Sequence, residues 1–349
     1  MRTIPRLSIG LPVYNGEVFL AESLDALLGQ SFEDFELIIS DNASTDATED
    51  ICRQYAASDP RICYVRQPRN LGCSWNHNFV VGQARGDLFK WASHDDLYAR
   101  DLLRRCVDAL DEHPDVVLAH SWTALVDGAT SDVARPLEYL LSTNHADAPD
   151  RFRSALFDNG GDDAYGVIRA DVLRHVLPYG SYYRADRTIV AEIALHGRFH
   201  QVPDWLYFRR EHPDRVSRTP TVRSWCVTME PRRADRLRHP TCRLLAEYVW
   251  GYVTAIRRAP LSPRDRRQCY RHLVEWMASR LRLRGLRRIE VLPHPEAVHQ
   301  APKSIDALVP AGRGGNHDVT EARNEAEPVN GHWPAGGSVR SVGLGEHRQ

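Results

Sequence analysis

The 349 residues are 42% hydrophobic and 26% charged, ordinary globular proportions that exclude wholesale disorder, a collagen-like repeat and a coiled coil. A formal net charge of −1 argues against a general nucleic-acid binder. No uncharged apolar run is long enough to span a membrane, the first residues lack a signal-peptide pattern, and the seven scattered cysteines form no Cys-x-x-Cys pair, which together predict a cytoplasmic chain with reduced thiols.

Along the chain, Leu7–Val13 reads as a strand broken by the turn signal Tyr14-Asn15-Gly16, and Phe19, Leu20, Leu24, Leu27 and Leu28 follow at helical spacing. Phe35–Ser40 is a second strand, ending in the polar loop Asp41-Asn-Ala-Ser-Thr-Asp46, whose last residue reads as a cap for a helix over about 47–57. Ile62–Val65 is a third strand and Asn76–Gln83 a third helix. Leu88–Ala92 is a fourth strand running into Ser93-His94-Asp95-Asp96. Four such units predict an α/β fold with a mostly parallel central sheet flanked by helices. Ligands of these sheets gather beyond the C-terminal strand ends, so the loops at 14–17, 41–46 and 93–96 should line one crevice. The pattern is less regular over 151–213, with helices expected from about Ala170 and from about Asp186 to His196. Two longer helices follow at 240–258 and 263–288, and beyond about 300 the composition reads as disordered.

Neither Gly-x-Gly-x-x-Gly nor Gly-x-x-x-x-Gly-Lys-Ser/Thr is present, so a dinucleotide fingerprint and a P-loop are excluded. Carboxylates at a strand end can instead hold a hard divalent cation that bridges a diphosphate. On its own, an Asp95-Asp96 pair reads more readily as a helix cap. The joint pattern of Pro12-Val-Tyr-Asn15 with Glu17, Ser40-Asp-Asn-Ala-Ser-Thr-Asp46, Asn70-Leu-Gly72 and Ser93-His-Asp-Asp96 resembles the nucleotide-sugar half of bacterial glycosyltransferase family 2, which has the Rossmann-like GT-A fold. The resemblance is specific over about residues 6–110, weaker to 218 and absent beyond. It implies a GT-A domain over 1–218, with a nucleotide-sugar half at 1–110 and an acceptor half at 111–218. A helical Arg-rich segment would follow over 219–292 and a disordered tail over 293–349.

The resemblance implies an inverting transfer from a nucleoside diphosphate sugar to a glycan or lipid-linked acceptor of the cell envelope, assisted by Mn2+ or Mg2+. Pro12, Tyr14 and Glu17 would form the nucleoside pocket, Asp41 would meet the base, Arg69 the diphosphate and Asp95 the ribose and metal. Asp96 would coordinate the metal directly and His212 would complete its shell. Ser93 stands where the family often has another Asp. Asp186 matches the general base that takes the acceptor proton, although Ala185 replaces the usual first member of that acidic pair. Asp162 and Asp163 would line the acceptor. Two other readings stay open. Sugar-phosphate nucleotidyl transfer needs a Gly-rich basic loop that Tyr14-Asn-Gly-Glu17 lacks, and a non-catalytic nucleotide-sugar binder is suggested by Ser93 and Ala185.

In 263–288, Tyr270, Leu273, Val274, Met277 and Leu281 make a helical stripe among many arginines. The segment reads either as an interfacial helix resting on anionic lipid at the inner face of the membrane or as a helix packed on the catalytic domain with a solvated Arg-rich face. Arginine abundance alone decides little, because Lys90 and Lys303 are the only lysines among 45 basic residues.

Overall fold

The computed structural model describes residues 4–128, 132–137, 142–158, 162–213, 215, 219, 221–282 and 301–310. The chain begins β1 (Leu7–Val13), α1 (Leu20–Leu28), β2 (Phe35–Asp41), α2 (Thr48–Ser58), β3 (Ile62–Arg66), α3 (Cys73–Gln83) and β4 (Leu88–Trp91). These are the units read from the sequence, with ends displaced by one to three residues. Next come β5 (Leu97–Tyr98), α4 (Leu102–Glu112), β6 (Val116–Asp127), β7 (Val133–Pro136), α5 (Ala148–Phe157), β8 (Val167–Arg169), α6 (Ala170–Val176), α7 (Ala185–His196) and β9 (Arg198–Glu211). The helices α8 (Val222–Met229), α9 (Thr241–Arg258) and α10 (Pro263–Arg282) complete the order.

One sheet runs β3-β2-β1-β4-β8-β6-β9-β5, with β7 paired to β6. The β3-β2-β1-β4 half is parallel, as expected, whereas β8 lies antiparallel between β4 and β6. Side-chain alternation divides the core between two faces. Leu37 and Ile39 of β2 pack with α1, α2 and α4, while Ile38 points to the opposite face with Phe89, Trp91 and the interiors of α5, α7, α9 and α10. Helices cover both faces, so the central strands bury both of their sides.

The C-terminal helices share this second core. Tyr248, Tyr252 and Ile256 of α9 and Cys269, Leu273 and Trp276 of α10 are buried there with Phe152 and Val190. Of the expected stripe on 263–288, Leu273 is buried, but Val274 is 64% and Met277 38% exposed, because the inward face runs through Cys269, Leu273 and Trp276 instead. Residues 283–288 of that expected helix lie outside the described residues. So do 293–300 and 311–349 of the expected tail. Residues 301–310 depart from the expected disorder: Lys303 accepts from Val133 N, Leu308 accepts from Arg100 N, and Ile305 is 1% exposed in the first core. Its apolar residues are too few to show helical or strand periodicity, yet they fill an existing surface. Among the described residues, no helix is long and apolar enough to cross a membrane.

Candidate active site

Because β1 lies between β2 and β4, its C-terminal loop is flanked by theirs. The β1 and β2 loops are laced together by side chains. Asn15 N and Gly16 N donate to Ser44 Oγ and Thr48 Oγ1 (2.9 and 2.8 Å), Thr45 N donates to Asn15 Oδ1 (2.9 Å), and Glu17 N donates to Asp46 Oδ2 (3.1 Å). Asp46 Oδ1 also accepts from Thr48 N, closing the turn before α2, whose N-cap is Ala47 rather than the expected Asp46. The third loop joins through Asn42 and Asn70, whose side chains bond at 3.0 Å while Asn70 Oδ1 accepts from Gly72 N. Among the described residues, the non-glycine positions with positive φ are Asn15, Ala43 and Arg184. Each costs local strain, and all three adjoin residues named above for the chemistry.

At the end of β4, Ser93 Oγ bonds Asp95 Oδ1, and Asp95 Oδ2 lies 2.9 Å from His212 Nε2 and 3.2 Å from Arg215 Nη1. Burial opposes ionisation of Asp95, but the His212 contact and the Arg215 charge outweigh it and hold the carboxyl well below the usual range. The long return strand β9 makes this possible. It pairs antiparallel with β5, which brings Tyr207, Arg210 and His212 over the acidic loop. Asp96 is enclosed. Its Oδ1 accepts from Arg210 N (3.0 Å) and Arg215 Nη1 (2.7 Å), and its Oδ2 from Tyr207 Oη and Arg215 Nη2 (3.1 Å). Arg210 extends the network to Glu22 (2.6 Å) and lies over the Phe19 ring, which also meets His212.

Asp95 Oδ2 and His212 Nε2 are 2.9 Å apart, the spacing of two ligands on one divalent ion, but Arg215 Nη1 stands 3.2 Å from the same oxygen and Ser93 Oγ holds Oδ1. Asp186 is the second residue of α7, whose N-cap, Arg184, has φ 53°. Its Oδ1 is sealed from solvent and has no hydrogen-bond partner among the described residues. Burial raises its proton affinity above the ordinary carboxylate value, against the opposing charges of Arg187 and Arg184. Cys73 and Tyr179 lie within electrostatic reach of Asp186, and Tyr165 within reach of Cys73, Asp95 and Asp96.

Residues 8–159 match the family model described as Glycosyl transferase family 2. Over that stretch, a little under half of the chain, it is similar to family 2 glycosyltransferases. It is 34% identical over 116 residues to an uncharacterized glycosyltransferase of Rickettsia typhi, a match covering 33% of this chain and 35% of that one. The chain therefore spans about a third of the length of that relative. Among solved structures it resembles TarS of S. aureus (TM-score 0.53, 18% identity, 81% of this chain and 44% of that one). It also resembles residues 1–349 of TarS in complex with UDP-GlcNAc (TM-score 0.51, 15% identity, 82% and 94%). The architecture is the GT-A type.

Within this domain several expected roles need correction. Asp96 does not present a free oxygen to a metal, since Tyr207, Arg210 and Arg215 take both of its oxygens in the interior. Asp95 and His212 are the donors that meet. Asp41 is wholly buried: Tyr64 Oη (3.1 Å) and Arg66 Nη1 (2.6 Å) occupy Oδ2 and Ser44 N (2.8 Å) occupies Oδ1, so Arg66 rather than Asp41 faces outward at that loop. Glu17 is exposed, and its Oε2 accepts from Ala47 N at the start of α2 (2.9 Å), so it builds the loop junction rather than a pocket wall. Tyr14 is 44% exposed and Pro12 half-buried at the end of β1, both at the crevice rim. Arg69 is exposed beside Asn70, His94 packs over Gly16, and the side chains of Asp162 and Asp163 lie outside the described residues. Sequence reading missed Tyr207, Arg210 and Arg215. The run Tyr207-Phe-Arg-Arg-Glu-His212 held two of them in plain view, but only the β5 pairing reveals their partner.

Proposed function

We propose that this chain transfers a glycosyl group, with inversion, from a nucleoside diphosphate sugar to a hydroxyl of a glycan or lipid-linked acceptor. The observation carrying the proposal is the sealed Oδ1 of Asp186, which has no hydrogen-bond partner among the described residues. Asp186 accepts the acceptor's O–H proton as that oxygen bonds the anomeric carbon. The bond from that carbon to the diphosphate oxygen breaks on the opposite side, and its electron pair leaves with the nucleoside diphosphate. Asp95 and His212 would hold Mn2+ or Mg2+, which neutralises the leaving diphosphate. Arg215 supplies fixed positive charge beside them, and Arg66, at the end of β3, is an exposed cation bonded to the β2 loop. A carboxylate whose proton affinity is raised by burial is a stronger base than an ordinary one.

The test is nucleoside diphosphate release from UDP-, GDP- and dTDP-sugars with and without Mn2+. The UDP-GlcNAc held by the TarS fold makes UDP-sugars the first donors to try. Asp186→Asn should lower turnover by two orders of magnitude or more. The acid limb of the wild-type rate should lie above the ordinary carboxylate range, because the base must lose a proton that burial retains. Full turnover in Asp186→Asn removes the base assignment, and release of pyrophosphate instead points to nucleotidyl transfer.

A further inference from the structure

Asp186 sits behind a strained turn, and the strain must be held by something. A non-glycine residue in the left-handed region, as at Arg184, costs about 1–2 kcal/mol and persists only where its surroundings enforce it. The residues just before it are gripped by the helical segment that follows the family-matched stretch. Ser181 Oγ donates to Glu230 Oε2 (2.8 Å) and accepts from Arg233 Nε and Nη2 (3.0 and 2.8 Å). Arg233 also bonds Glu230 Oε2 (3.1 Å) and Glu247 of α9, whose other oxygen takes Arg243 (2.9 Å). Tyr182 and Tyr183 are packed in the same way. A side chain at Gly251 would fall 2.5 Å from the Tyr182 hydroxyl, and the Tyr183 ring lies edge-on to Trp225 and Tyr248 at 6.0 and 5.9 Å.

Arg233 is 8% exposed and sits between two carboxylates and the hydroxyl of Ser181. A guanidinium can satisfy all three because its donors are fixed in one plane. Two carboxylates alone would repel each other at this place. The segment 222–258 therefore does more than cover apolar surface. It ends in a charged clamp on the turn that leads to Asp186.

We propose that Arg233 is a positioning residue, acting through Ser181 to hold the 181–184 turn so that the Oδ1 of Asp186 stays sealed. This rests on the reading of Asp186 as the base. The discriminating variant is Ser181→Ala, which releases the turn but leaves Arg233 paired with Glu230 and Glu247, so the fold should survive. The readout is a carboxyl-13C titration of aspartates in the substrate-free full chain, with the Asp186 signal assigned by its loss in Asp186→Asn. In Ser181→Ala the Asp186 midpoint should fall toward the ordinary carboxylate value by at least about half a pH unit, as water reaches Oδ1. Ser181→Thr, which restores the hydroxyl, should return it to the wild-type value. Nucleoside diphosphate release should lose about tenfold in kcat in Ser181→Ala with donor KM unchanged, because the donor contacts lie on other loops. An Asp186 midpoint and kcat unchanged in Ser181→Ala overturn the inference. If instead the midpoint moves while Asp186→Asn keeps full turnover, the clamp stands and the base assignment falls.

Discussion

Lys90 is the residue whose environment departs furthest from its chemistry. It stands in the middle of β4 at 1% exposure, its Nζ donates to Tyr165 O, and the rings of Tyr98 and Tyr207 lie 5.3 and 5.4 Å from it. Burial pushes its pKa down to about 8, opposed by the charges of Cys106 and Asp96. Between that value and the unfolded one near 10.5, the unfolded chain holds a proton that the folded chain has released. Stability from this group therefore rises with pH across the window. Tyr98, Tyr165 and Cys106 face the same space, and burial raises all three. Their contribution is common to both proteins and cancels in a comparison. Urea denaturation of Lys90→Met against wild type should show the wild type gaining up to roughly 3 kcal/mol on the variant between pH 7.5 and 10.5. Parallel curves would mean that Lys90 keeps an ordinary proton affinity. At this scale the sequence singled out Asp95, Asp96, Asp186 and His212, but not the enclosure of Asp96 by Tyr207, Arg210 and Arg215, because those contacts join positions more than 100 residues apart.

Among the elements, α3 carries two glycines with opposite expectations. Gly72, the last residue of Asn70-Leu-Gly72, has φ 94° and ψ 156°, and a Cβ there would lie 2.4 Å from the Met229 carbonyl oxygen. Gly82 lies in the last turn, and a Cβ there meets nothing within 4 Å. Gly72→Ala should cost at least about 2 kcal/mol, since only glycine adopts that backbone region cheaply and α8 must also move. Gly82→Ala should instead stabilise by about 0.5–1 kcal/mol. Both follow from chemical denaturation of the single variants, and equal effects would contradict the local geometry. Elements bounded by turn residues, such as β1 before Tyr14-Asn15-Gly16, were legible in the sequence. The strands β6 and β9 were not. Nearly all of β6 is buried on both faces, which erases the two-residue alternation, and β9 contains Pro203-Asp204 at a register shift against β6.

Across the whole molecule, the question is whether the Arg-rich helices form a separate domain, as the sequence boundaries at 219 and 292 suggest, or share one cooperative unit with the sheet. Trp276 of α10 lies edge-on to Tyr248 and Tyr252 of α9 at 5.7 and 5.5 Å, and Tyr252 meets Phe152 of α5 in the same manner. Arg258 at the end of α9 makes a two-pronged pair with Glu192 of α7, the helix whose first turn holds Asp186, and caps the carbonyls of Val176 and Leu177. Contacts this dense across the expected boundary couple the helices to the sheet, because opening either side exposes apolar surface on both. Trp276→Ala removes a large buried ring and should cost about 3–5 kcal/mol. In a shared unit the loss appears as one transition moved to lower temperature, with near-UV circular dichroism and calorimetry coinciding. In a separate helical domain, an early partial transition would split from an unchanged main one, and the clamp from Arg233 to Ser181 would open before the sheet melts.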